Sequence, residues 1–272
     1  MEGIVVDSVV LFLLGSIGGF ISGFLGVGGG IIYVPILSYF LSKLGMHGDE
    51  LVKGILANSL FTIIFSGSIS SYKQYKSGNF YGRNILETAV PGIVSVLLMT
   101  YLIRNGSWYS ITVFNYVFAT MLLVIAVRMF RRQKQITETY EVTHLQYGAT
   151  GFVTGIVTAL SGLGGGIIMA PVFTDIFKQD IKKASSISNG VIPILAIAVG
   201  IYNLTGEPAI QVHAWQAGYI VFPLVIPMIL SAFIFAPIGV VVSHKTSERV
   251  IRIVFASFVS LVFLKTMWQI IR

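Results

Sequence analysis

The sequence predicts an all-α integral membrane protein made of two inverted repeats, from its composition, its apolar runs and an internal duplication. Of its 272 residues, 55% are hydrophobic and 11% are charged, whereas about 25% are charged in a soluble domain. Several apolar runs are near or above the roughly 20 residues that cross a hydrocarbon core. These runs are Ser8–Leu25, Ile85–Ile103, Ile111–Phe130, Gly218–Ser243 and Val250–Ile270. They leave no room for a separate soluble domain.

The duplication is visible when the sequence is aligned with itself. A shift of 136 positions places Gly15–Leu37 on Gly151–Phe173 without a gap. Nine positions are identical, among them three consecutive glycines and a later proline. The glycines are Gly28, Gly29 and Gly30 in the first half and Gly164, Gly165 and Gly166 in the second, and the prolines are Pro35 and Pro171. We call Gly28–Gly30 and Gly164–Gly166 the two glycine segments.

Each half predicts five membrane segments, which gives about ten in the chain. Because five is odd, the second half must enter the membrane from the opposite side, so the repeat is inverted. We expect a first repeat at 1–130, a cytoplasmic linker at 131–146 and a second repeat at 147–272. The last pair of the second repeat is predicted at Ala214–Ser243 and Val250–Ile270. The first two segments of each repeat are expected to be short or re-entrant around the glycine break.

The positions of Lys and Arg predict the orientation in the membrane. An N-terminus outside the cell places thirteen of the 18 Lys and Arg residues on the cytoplasmic side and five on the exterior. Cytoplasmic loops carry such an excess, so both termini are predicted outside, in a cell or inner membrane. This placement also explains the net charge of +7 without nucleic acid. With no cysteine and no histidine pair at ligand spacing, no thiolate site and no metal site are expected.

The glycine segments are the strongest candidates for a binding site. Three successive glycines let the backbone leave helical geometry, and such backbone is tolerated at membrane depth where it lines a cavity. A helix starting after each segment would direct free N–H groups and the positive end of its dipole into that cavity, which favours an anion. A side chain at Gly29 or Gly165 is expected to fill the substrate's place. Helix packing is the competing interpretation, and we prefer it for the glycine ridges upstream, Gly15-Gly19-Gly23 and Gly151-Gly155-Ala159.

Small polar residues stand at similar places in the next helix of each half. They are Asn58 with Ser59 and Asn189 with Ser188, which we expect either to bind substrate or to form interhelical hydrogen bonds. Pro35 and Pro171 are close enough to the glycine segments for a kink with a gating role.

The duplicated motif resembles the sulfite exporter TauE/SafE family, also called the toluene sulfonate uptake permease family. It is G-x-GGG-x-x-x-x-P, at Gly26–Pro35 and Gly162–Pro171, followed in each half by a helix with small polar residues. The resemblance covers nearly the whole chain. It implies an inner-membrane transporter of sulfite, sulfonates or other organosulfur anions, often an exporter, with proton coupling suggested for some members. Many members carry a Gly-Thr-Ser-like stretch where this chain has Ala57-Asn58-Ser59 and Ser188-Asn189-Gly190.

The sequence therefore favours a secondary transporter that works by alternating access. An anion channel of the same architecture is the alternative. An enzyme is not expected, because neither G-x-S-x-G nor H-E-x-x-H nor a pair of carboxylates is present. No cofactor is predicted, and the expected partners are a small anion, the lipid bilayer and, left open, a second copy of the chain.

Overall fold

The structure, a computed structural model, describes residues 2–25, 28–130, 142–246 and 248–271. Gly26 of the first motif and residues 131–141 of the predicted linker lie outside the described residues. The helices are α1 Glu2–Leu25, α2 Gly30–Lys43, α3 Gly48–Lys76, α4 Gly82–Asn105, α5 Ile111–Phe130, α6 His144–Ser161, α7 Gly166–Pro171, α8 Ile181–Leu204, α9 Phe222–Lys245 and α10 Glu248–Ile271.

The all-helical prediction is confirmed, and the chain is a multi-pass membrane protein. Within the described residues, five stretches are long and apolar enough to cross a bilayer. They are Asp7–Phe24 in α1, all of α3 and α4, Lys182–Leu204 in α8 and Phe222–Ser243 in α9. The apolar parts of α2, α5, α7 and α10 that the structure describes are shorter.

The predicted helix at Ala214–Ser243 begins later than expected. A short antiparallel hairpin, β1 Gln216–Ala217 and β2 Ile220–Val221, precedes α9. Gly218 at its turn has φ 54°, which is outside helical geometry. Helix α9 starts at Phe222, with a proline in its first turn, where the missing N–H costs nothing.

Local sequence signals explain two of the helix starts. Thr143 and Gln146 form a capping box at the start of α6, since each side chain bonds the other residue's backbone N–H. Asp180 accepts from the N–H groups of Lys182 and Lys183 at the start of α8.

Helix α1 packs most extensively on α9, and α6 packs most extensively on α4. Glycines make both contacts close. A Cβ on Gly23 would lie 1.9 Å from the carbonyl oxygen of Ala236 in α9, and one on Gly151 would lie 1.8 Å from that of Thr88 in α4. The prediction that the upstream glycine ridges bring helices together is confirmed at Gly15, Gly19, Gly23, Gly151 and Gly155.

Helices α3 and α8 form the centre of the protein. In their apolar spans 67% and 72% of residues are buried, against 33% to 44% in the spans of α1, α4 and α9. The three outer spans expose apolar side chains such as Leu13, Val94 and Phe233, which suit contact with lipid.

The loops gather at two faces. At the first, Asn79 after α3 donates to the carbonyl oxygen of Lys182 at 3.0 Å, and Arg83 lies 3.3 Å from the His144 ring at the start of α6. We call this the lysine-rich face, because it carries Lys73, Lys76, Arg83, Lys178, Lys182 and Lys183. At the opposite face, Glu50 in the first turn of α3 accepts from the backbone of Ala209, and Arg104 at the end of α4 donates to the backbone of Thr205.

The close packing of α6 on α4 predicts that a side chain added at their contact lowers the stability of the protein. Gly151→Ala places a methyl group against the Thr88 carbonyl, so the helices must move apart at a cost of about 1–3 kcal/mol. We expect a lower melting temperature for the purified variant in detergent.

Gly148→Ala on the same helix is the matched control. The nearest neighbour of its Cβ is a Pro91 side-chain carbon at 3.6 Å, an ordinary contact. This variant should melt at or slightly above the wild-type temperature, because Ala favours a helix over Gly by about 1 kcal/mol. Equal melting temperatures for the two variants would contradict the close packing.

Candidate functional site

The two glycine segments have matching backbone conformations. Gly28 and Gly29 have φ angles of 85° and 77°, and Gly164 and Gly165 have 81° and 76°. Side chains are strongly disfavoured at such angles, so the sequence needs glycine here. Gly29 and Gly165 are the N-caps of α2 and α7 and offer no capping side chain. The first N–H groups of each helix therefore have no acceptor within the helix.

The glycine segments meet between α3 and α8. A Cβ on Gly28 or on Gly164 would lie 3.2–3.4 Å from methyl carbons of both Ile63 and Ile192. A Cβ on Gly30 would lie 2.6 Å from Leu163 Cα and 2.7 Å from the Gly162 oxygen, so the backbone of the first half touches the backbone of the second. All these glycines are buried.

The meeting point lies halfway along the central helices. Ile63 is next to the midpoint of α3, and Ile192 is at the midpoint of α8. On α3, Ser59 donates to the Gly162 oxygen at 2.8 Å, and Ser66 donates to the Gly28 oxygen at 3.2 Å. Helix α3 thus binds the backbone of both halves near its middle.

Helices α1 and α2 run in opposite directions on either side of the first glycine segment. Lys43 at the end of α2 forms an ion pair with Asp7 near the start of α1, with 2.8 Å between Nζ and Oδ1. The end of α2 therefore returns to the level of the first turns of α1, and the glycine segment is at the tip of the pair.

The expectation for a side chain at Gly29 or Gly165 is wrong in its geometry. A Cβ on Gly29 would meet the Gly18 oxygen of α1 at 2.6 Å, and one on Gly165 would meet the side chains of Thr154 and Thr158 of α6 at 2.4 Å. These two glycines face the preceding helix of their own half rather than the other glycine segment. A larger residue there would disturb helix packing.

Asn58 binds the hairpin before α9. Its Nδ2 donates to the Tyr219 oxygen and to Gly54 of its own helix, and its Oδ1 accepts from the Val221 N–H, each at 2.8 Å. These bonds occupy the amide and correspond to the hydrogen-bonding interpretation of this residue.

Ser188 and Asn189 are bonded differently. Both are buried, at 0% and 1% exposure, yet Ser188 Oγ and Asn189 Oδ1 have no hydrogen-bond partner within the described residues. The same holds, in the part of the chain that the structure describes, for Thr154 Oγ1 beside Gly165. A buried polar group left unbonded costs about 1–3 kcal/mol, so these side chains are candidates for contact with a ligand. Ser22 Oγ of α1 is also buried without a partner among the described residues.

The central isoleucines also give the correspondence between the two halves. Ser59 and Ser188 each lie one helical turn before their isoleucine, on the same face of the helix. Asn58 lies five residues before Ile63, whereas Asn189 lies three before Ile192. The serines therefore occupy equivalent positions and the asparagines do not.

The two prolines have different local structures. Pro35 lies within α2, which remains α-helical to Lys43, whereas Pro171 ends α7 and the chain continues as one π-helical turn at Val172–Ile176. The gating role of both stays a prediction.

The sequence interpretation missed the residues that surround the glycines. Ile63 and Ile192 carry no signal beyond their apolar character. Ser66 could have been found, because Ser59, Thr62, Ser66 and Ser70 form a polar stripe at helical spacing on α3. Thr154 and Thr158 form a similar pair on α6.

The sequence profile of the family described as sulfite exporter TauE/SafE matches residues 11–266. A probable membrane transporter protein of Methanocaldococcus jannaschii is 25% identical over 249 residues, which cover 91% of each chain. One of Haemophilus influenzae is 25% identical over 260 residues, covering 93% of this chain and 96% of the relative. One of Bacillus subtilis is 28% identical over 200 residues, covering 68% and 73%. The chain thus belongs to the TauE/SafE sulfite exporter family of membrane transporters.

Proposed function

We propose that this protein transports sulfite or a small organosulfur anion by alternating access, with the anion bound between the two glycine segments. The observation that carries the proposal is the meeting of these segments at the midpoints of α3 and α8. Substrate sites of transporters with repeated halves are found at such central breaks.

The chemistry at the meeting point supports an anion. Helices α2 and α7 both begin there, and α7 with its π-helical turn runs from Gly166 to Ile176. Unpaired N–H groups and the helix dipole attract negative charge at such starts. The neighbouring side chains are apolar or carry hydroxyls, and Ser188, one helical turn before Ile192 on α8, has a hydroxyl that no described residue bonds.

The packing supports an inverted repeat with halves at 1–130 and 147–272. Helix α1 of the first half packs on α9 of the second, and α6 of the second packs on α4 of the first. Because α6 and α9 correspond to α1 and α4 in the duplicated sequence, this exchange is expected of two halves related by a two-fold axis. The end of α3 meets the start of its counterpart α8 through Asn79 and Lys182, so these two helices run in opposite directions, which supports an axis in the membrane plane.

The arrangement of the loops supports the proposed orientation, with both termini outside. The loops predicted to be cytoplasmic contact one another at the lysine-rich face through Asn79, Lys182, Arg83 and His144. Loops predicted to be exterior contact one another at the opposite face. The bias of Lys and Arg favours the lysine-rich face as the cytoplasmic one, in a cell membrane.

The centre of the structure is closed. The side chains of Ile63 and Ile192 lie against both Gly28 and Gly164, so an anion reaches the glycine segments when these contacts open. In alternating access one half moves against the other, and the path opens to one face at a time. The family description supports export as the direction. The proposal includes coupling of transport to protons.

Flux in proteoliposomes tests the proposal. We expect saturable transport of at least one solute among the anions sulfite, sulfate, thiosulfate and sulfoacetate and the zwitterion taurine, with a rate that responds to a pH gradient. Protein-free vesicles are the control. Currents that stay linear with anion concentration and exceed transporter turnover would favour the channel, and no flux of any of the five would contradict the proposal.

Ser188→Ala tests the binding site itself. A hydrogen bond to a charged group contributes about 1.5–3 kcal/mol, so the variant's KM should rise about tenfold or more. Its melting temperature should remain near the wild-type value, because the hydroxyl has no partner within the described residues.

Asn58→Ala is the opposite case and the matched comparison. It removes three hydrogen bonds to buried backbone groups, so we expect a lower melting temperature. A Ser188→Ala protein with unchanged KM would exclude this serine from the site.

A further inference from the structure

A cleft opens at the opposite face, where α3 begins and α4 and α8 end, and Ala159 near the end of α6 also lines it. Lys53, Arg104 and Asn203 line it near the face, and Leu56, Leu60 and Val199, further from the face along α3 and α8, form its floor.

Two cations are held in this cleft by different contacts. Arg104 donates to the carbonyl oxygens of Tyr202 and Thr205 at the end of α8, at 3.1 and 3.3 Å, and stacks on the Tyr202 ring at 4.5 Å. Lys53 pairs with Glu50 at 3.0 Å, and both side chains are mostly buried, at 18% and 15% exposure. The carbonyl groups at the end of α8 carry a partial negative charge, which offsets part but not all of the charge of Arg104. These two cations and one carboxylate leave a net positive charge.

The floor of the cleft reaches the glycine site. Leu56 contacts Gly162, since a Cβ on that glycine would lie 3.1 Å from Leu56 Cδ2. Ser59, less than one turn further along α3, donates to the Gly162 oxygen. The cleft and the meeting point of the glycine segments are therefore separated by one layer of side chains on α3.

We propose that this cleft is a second anion site, in which Lys53 and Arg104 bind a small sulfonate or similar oxyanion on its path between the opposite face and the glycine segments. The inference rests on the proposed function, because it concerns the same class of anion. The cations act at the mouth, where they raise the local concentration of anions. The apolar floor accepts the uncharged part of an organic anion.

A single thiol measures the potential inside the cleft. The chain has no cysteine, so Thr100→Cys introduces the only one, on the wall of the cleft. The purified protein is reacted with two methanethiosulfonates, one bearing a sulfonate and one a trimethylammonium group. Each rate is divided by the rate with a small free thiol. We expect the anionic reagent to be favoured by about tenfold, the lower end of electrostatic rate enhancement.

Two substitutions that change the charge of the cleft in opposite directions should change this preference. Lys53→Gln in the Thr100→Cys background should lower the preference for the anionic reagent about threefold or more, and Glu50→Gln should raise it. Lys43→Gln is the control, because Lys43 lies at the end of α2, paired with Asp7 and away from the cleft lining.

Protection by a ligand completes the test. Methanesulfonate should slow the labelling of Thr100→Cys, whereas dimethyl sulfone, a neutral molecule of similar shape, should not. An unreactive thiol, equal effects of the two molecules, or a preference that Lys53→Gln and Glu50→Gln leave unchanged would overturn the second site.

Failure of the two proposals can be told apart. Saturable flux with an unselective cleft would overturn the second site alone. A charge-selective, protectable cleft in a protein that transports none of the five solutes would support the second site and overturn the proposed function.

Discussion

The close approach of two backbone segments at the centre of the protein is the constraint on which the rest of the structure depends. Gly30 lies against Leu163 and Gly162 with no room for a Cβ, and Gly28 and Gly164 lie against the same two isoleucines. Left-handed φ angles at four of the glycines add a second reason why no other residue fits. The starts of α2 and α7 can lie together only because these residues lack a Cβ and adopt left-handed φ angles. Ser59 and Ser66 of α3 hold the two stretches of backbone in place.

The two halves are alike in backbone and different in their polar contacts. In the first half, the amide of Asn58 is fully used by the hairpin before α9. In the second, Ser188 and Asn189 keep acceptor or donor atoms that no described residue bonds. The reason lies in the helices that follow: α4 starts as a regular helix at Gly82, whereas the hairpin replaces the first turns expected for α9 and presents free backbone groups to Asn58.

Much of the fold could be predicted from the sequence, because apolar run length and glycine spacing are direct consequences of membrane and packing physics. The order of the helices follows from the apolar runs, and close helix packing follows from glycines at every fourth position, whereas the partners α9 and α4 could not be predicted from that spacing. The hairpin at Gln216–Val221 was missed, since its residues are as apolar as those of a helix and only Gly218 marks the turn. The direction of each glycine could not be predicted either. Whether a Cβ at Gly29 faces α1 or the other glycine segment depends on how the chain packs in three dimensions, which local sequence does not determine.

Selenium provides the most direct test of the central claim. Crystals of the protein with natural methionine, grown with selenite or an alkyl selenonate, would locate the anion by the anomalous signal of its selenium atom. The account predicts a peak between the glycine segments, within hydrogen-bond distance of the first amides of α2 or α7. A peak against the lipid-facing surface, with none beside Gly28 or Gly164 in crystals that contain the bound anion, would contradict it.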